Sequence, residues 1–62
     1  MPIVKIDFAS KLTKEQKATL AKGITGVITE VTKVPDQAVT IFINEFDRDN
    51  VAKAGTLFSD RT

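Results

Sequence analysis

The sequence predicts an α+β fold built from one βαβ unit and a short C-terminal hairpin. Three observations predict it. Residues 3–8 alternate apolar and polar side chains, an apolar repeat of helical spacing follows a capping sequence at Thr13, and a second alternating run occupies residues 37–46. Strand, long helix and strand in that order make the two strands parallel, joined by a right-handed crossover.

In the first strand, Val4, Ile6 and Phe8 point one way and Lys5 and Asp7 the other, as in a strand with one covered face. Pro2 stands just before it, where a missing backbone N–H costs little. After a connector at residues 9–12, Thr13 and Gln16 form a capping box that starts the helix. Leu20, Ile24, Val27, Ile28 and Val31 recur at helical spacing and define one apolar face, opposed by Lys14, Lys17, Lys22 and Thr25. The helix is expected over Lys14–Thr32, roughly 30 Å long. Gly23 and Gly26 each weaken it by about 1 kcal/mol relative to Ala, either as tolerated defects or as places where another element packs closely. Pro35 stops the helix, because the residue before a proline avoids the helical region. In the second strand Val39, Ile41 and Ile43 share one face, and Thr40, Phe42 and Asn44 the other. Asp47-Arg48-Asp49-Asn50 reads as a polar turn, and residues 51–58 around Gly55 as a small hairpin before a polar tail.

A chain of 62 residues implies one domain, residues 1–62. Two parallel strands and one helix are too little to stand alone. With no cysteine and no histidine, disulfides and thiolate or imidazole metal sites are excluded; a carboxylate-only site stays open, although the acidic residues are scattered. Association is therefore the expected source of stability. Nine Lys and Arg balance eight Asp and Glu, which argues against nucleic acid as a partner and against a small DNA-binding dimer. No apolar run reaches membrane-spanning length and the start lacks a signal-peptide pattern, so a soluble cytoplasmic protein is expected.

The catalytic repertoire is narrow. Without His, Cys or Tyr, a general base has to be a carboxylate, a lysine or the amino terminus itself.

Taken together, the opening Met1-Pro2-Ile3, the Glu15-Gln16-Lys17 and Leu20 segment of the helix, Pro35 after it, and Ile43-Asn44-Glu45 ending the second strand resemble the 4-oxalocrotonate tautomerase family across nearly the whole chain. The resemblance implies a single tautomerase-like domain that dimerises into a four-stranded sheet covered by two helices, with three dimers forming a homohexamer. It also implies a cofactor-independent isomerase. Met1 is removed, and the freed secondary amine of Pro2 shuttles a proton between the enol and keto forms of a small α-keto acid. Sites lie between subunits.

The chain departs from the family pattern at three positions. Leu12 and Thr40 stand where the family carries substrate-binding arginines, and Val51 stands at its aromatic wall. Lys11, beside Leu12, and Arg48, after the second strand, are the cations placed to compensate, with Lys5 and Arg61 as further ones. Lysine is a point charge rather than a bidentate fork, so a substrate with one carboxylate is expected in place of a dicarboxylate. The expected site is then Pro2 as base with Lys11, Thr40, Arg48 and Val51 as substrate contacts, and no metal. The competing expectation is a non-catalytic oligomer on the same scaffold that has lost activity along with those arginines.

Overall fold

The computed structural model describes residues 1–60. Strand β1 spans Ile3–Phe8, helix α1 Lys14–Thr32 and strand β2 Thr40–Glu45; β3, Ala52–Lys53, and β4, Thr56–Leu57, form the C-terminal hairpin. β1 and β2 pair in parallel, with Ile3 opposite Thr40 and Phe8 opposite Glu45. This is the βαβ unit and hairpin expected from the alternation.

The capping box at the start of α1 forms as predicted. Thr13 Oγ1 accepts from the Gln16 N–H at 3.0 Å, and Gln16 Oε1 accepts from the Thr13 N–H at 2.9 Å. The helix ends at Lys33, two residues before Pro35. Lys33 adopts a left-handed conformation at φ 65° and donates its N–H to Thr29 O. Strand β2 begins three residues later than expected, because Asp36–Ala38 coils into a 3₁₀ turn in which the Ala38 N–H reaches Pro35 O. The hairpin turns on Ala54 and Gly55, both at positive φ (53° and 81°), the backbone of a type I′ turn whose twist matches the flanking strands.

Val4, Ile6 and Phe8 of β1 and Ile41 and Ile43 of β2 lie on the half-covered side of the sheet; Ile3, Lys5, Asp7, Thr40, Phe42 and Asn44 lie on the exposed side. The helix meets the sheet on a narrower stripe than its apolar repeat suggested. Leu20, Ile24 and Ile28 are half-covered, together with Lys17 and Thr25, whereas Val27 is 60% exposed and Val31 74% exposed. The expected face thus rotates: Lys17 and Thr25 turn inward, and Val27 and Val31 turn out. A sheet only two strands wide covers one side of a helix cylinder and leaves the rest of the apolar arc bare. Gln16, Leu20, Gly23, Ile24 and Val27 line an open groove of about 740 Å³ along that arc.

None of the described residues is buried. The chain measures 43 × 23 × 14 Å with a radius of gyration of 14.8 Å, against about 10.5 Å for a compact domain of this length. Phe42, 50% exposed, and Ile3, 61% exposed, sit on the bare sheet face. The deficit in burial that the length implied is therefore present in the fold. No helix among the described residues is long and apolar enough to cross a membrane.

Candidate active site

Parallel pairing places both strand starts at one end of the sheet and both exits at the other. At the start, Pro2 is half-buried and its carbonyl accepts the Thr40 N–H at 3.1 Å, extending the ladder by one bond. Pro2 and Thr40, both expected at the site, are thus neighbours. With Met1 attached, the Pro2 nitrogen is an amide without a basic lone pair. Met1 itself is 91% exposed.

At the exit, the loop after β1 meets the turn after β2. Lys11 Nζ lies 3.6 Å from Asp47 Oδ1, with both side chains largely in solvent. Arg48 donates from Nη2 to Phe58 O at 2.7 Å, and its guanidinium carbon stands 5.9 Å from the centroid of the Phe58 ring. Ser10, Lys11, Phe46, Asp47, Arg48 and Asp49 line a depression of about 460 Å³. Val51 is half-buried and borders a neighbouring hollow of about 260 Å³ with Phe8, Ala9 and Phe46. Lys11, Arg48 and Val51 are therefore gathered, but not with Pro2. A strand of this length puts roughly 20 Å between the two groups, so one chain by itself does not assemble the expected site. Of the further cations, Lys5 lies midway along the bare face opposite Phe42, and Arg61 lies outside the described residues.

One residue without a role in the expected site belongs to this exit end. Glu45 ends β2 on the covered side, and its carboxylate has a separate partner for each oxygen. Oε2 accepts from the Leu12 N–H at 2.6 Å, and Oε1 from Lys17 Nζ at 2.9 Å. The Leu12 N–H and the Lys17 ammonium hold the Glu45 carboxyl below its ordinary pKa, outweighing partial desolvation, which acts the other way. A signal for this was present: Glu45 has the same parity as Ile41 and Ile43, and an acidic group on the covered face of a strand requires a partner. Among the described residues no cluster of three or more His, Cys, Asp or Glu could hold a metal ion.

The chain matches the family model described as "Tautomerase enzyme" over residues 2–61. It belongs to the tautomerase family. Relatives of this tautomerase-family chain include a "Probable tautomerase" of Bacillus cereus, 33% identical over 98% of this chain and 100% of the relative. A protein named 2-hydroxymuconate tautomerase from Bacillus subtilis is 33% identical over 97% of both chains. Among solved structures, YwhB, a homologue of 4-oxalocrotonate tautomerase, superposes with a TM-score of 0.87 at 31% identity, covering 98% of this chain and 100% of that one. The fold expected from the resemblance is thus the fold of these relatives.

Proposed function

We propose that this chain is a keto–enol tautomerase for a small enol or α-keto acid, with the Pro2 amine as proton shuttle once Met1 is removed. The observation that carries the reading is the position of Pro2. It heads β1 in a chain with no His, Cys or Tyr, half-covered at its ring and reached through a Met1 that lies in solvent. An N-terminal amine ordinarily titrates near about 7.7–8.0. Apolar cover or a neighbouring cation lowers that value and leaves the neutral amine available as base. The nitrogen then takes a proton from one position of the enol system and returns one to carbon, so that enol becomes ketone with no atom gained or lost.

Assembly is part of this reading. The exposed Phe42 face, the groove along α1 and the absence of buried residues among those described support covering by further copies. Pairing two βαβ units into a four-stranded sheet, and three such dimers into a hexamer, brings the exit loops of one copy toward the strand starts of another. Lys11 and Arg48 of a neighbouring copy then hold the substrate carboxylate, Thr40 offers a hydroxyl to it, and Val51 supplies apolar wall. Without the family's two arginines, the arrangement suits one carboxylate better than two.

A second reading, a non-catalytic oligomer, is favoured by Leu12 and Thr40 at the arginine positions. The deciding experiment is ketonisation of phenylenolpyruvate and 2-hydroxymuconate by protein shown by intact mass to lack Met1, with Pro2→Ala as control. Turnover above that control supports the tautomerase. Rates no higher than those without protein leave the non-catalytic reading.

A further inference from the structure

We infer that Glu45 is a positioning residue that sets the loop carrying Lys11, and so the carboxylate-binding strength of the site; this rests on the tautomerase reading above. The loop of residues 9–13 has no repeating hydrogen bonds of its own. Its far end is held by the Thr13–Gln16 capping box. Its middle is held by the bond from the Leu12 N–H to Glu45 Oε2, across 33 residues of sequence. That N–H belongs to the peptide joining Lys11 to Leu12, so the carboxylate fixes the peptide plane from which the Lys11 side chain departs. Glu45 is also two residues before Asp47, the acid that Lys11 approaches at 3.6 Å, and three before Arg48. The β1 exit and the β2 exit are therefore locked to each other through one side chain that is 17% exposed. The second oxygen ties the same carboxylate to Lys17 on the first turn of α1, which keeps the carboxyl charged and its rotamer defined. A charge-assisted bond to a backbone N–H is the stronger kind, and small displacements of a binding cation are costly to recognition.

The two oxygens can be separated by substitution. Glu45→Gln keeps an oxygen for the Leu12 N–H but cannot pair with Lys17, whereas Glu45→Leu removes both interactions at similar volume. For Met1-free protein with phenylenolpyruvate, Glu45→Leu is expected to raise KM about tenfold with kcat changed less than about threefold, the pattern of lost substrate binding. Glu45→Gln and Lys17→Met are expected to stay within about threefold of the parent KM. Hydrogen exchange at the Leu12 amide, read by NMR without substrate, should accelerate at least about tenfold in Glu45→Leu and several-fold less than that in Glu45→Gln, whose neutral oxygen still accepts the bond. This second readout is independent of turnover: a chain that fails to ketonise any enol overturns the tautomerase reading, yet still reports on the loop. Unchanged Leu12 exchange in Glu45→Leu overturns the proposal. So does faster exchange in an active enzyme whose KM does not move, since that makes the bond structural only, and so does a Gln variant as impaired as the Leu variant. Should Glu45→Leu not fold, Leu12 exchange faster in Glu45→Ser than in Glu45→Gln supports the proposal, and equal exchange in both overturns it.

Discussion

The two ends of the β1–β2 sheet are built in opposite ways. The end where the strands begin offers Pro2, Ile3, Val39 and Thr40, none with a charged side chain, and the bond from the Thr40 N–H to Pro2 O extends the ladder there. The end where they finish gathers Lys11, Lys17, Glu45, Asp47 and Arg48, cross-tied by the Glu45 carboxylate, the Lys11–Asp47 pair and the bond from Arg48 to Phe58 O. Under the proposed function, the difference separates the two requirements of proton transfer. A base with a lowered pKa needs apolar surroundings, while a carboxylate needs cations held still. Lys11 and Arg48 lie at the opposite end of the sheet from their own Pro2, and under the tautomerase function proposed above a neighbouring copy has to bring the two together.

The largest way to break this contrast is at the uncharged end. Protein that retains Met1, whose Pro2 nitrogen is an amide, is expected to show kcat/KM for phenylenolpyruvate about 10²–10⁴ below that of Met1-free protein, the usual contribution of a positioned base, as measured by loss of enol absorbance. The next largest effect is on association. Phe42→Asp places a charge on the bare sheet face, where full burial of the native ring is worth about 1.5–3 kcal/mol. Sizing chromatography at micromolar concentration should show the assembly lost, and a variant that elutes with the parent would mean that this face is not covered.

At the charged end, pH sharpens the comparison. Glu45 is held below its ordinary pKa of 4.5, so its folded form binds the proton less readily than its unfolded form. The resulting stabilisation is fully present above the unfolded value, and is lost as pH falls through 4.5 toward the lower folded value. Thermal melts from pH 7 to pH 3 should therefore show a shallower acid-side decline for Glu45→Gln than for the parent, with the gap between the two largest near neutrality. The smallest effect is at the hairpin. Ala54 holds φ 53°, a left-handed conformation that glycine adopts without a Cβ clash, and Ala54→Gly is expected to raise stability by about 0.5–1 kcal/mol, seen as a melting temperature a few degrees higher.

Much of the scaffold was legible because its causes are local. The alternation of Ile3–Phe8, the capping box at Thr13 and the helix Lys14–Thr32 appear where the sequence placed them. The early start assigned to the second strand failed because Asp36–Ala38, just after Pro35, satisfies its backbone in a 3₁₀ turn before extending. The helix face was only partly legible. Leu20, Ile24 and Ile28 do meet the sheet, but which edge of the apolar arc is covered depends on how wide the sheet is, and that excluded Val27 and Val31 and drew in Lys17. Of the candidate site, the proximity of Pro2 and Thr40 follows from strand register, whereas the partners of Lys11 and Arg48 depend on loop paths that no periodicity encodes.

By itself, then, the sequence determined the order of elements and a side-chain set without imidazole or thiol, because composition and short-range hydrogen bonding are written residue by residue; Pro2 as the candidate base came from the family resemblance. Only the tertiary structure decided that Pro2 and the cations occupy opposite ends of the sheet, and that Glu45 finds the Leu12 N–H across 33 residues of chain. Both follow from the parallel crossover, which brings the two strand exits together and carries them as far as the strand is long from Pro2, the proposed base.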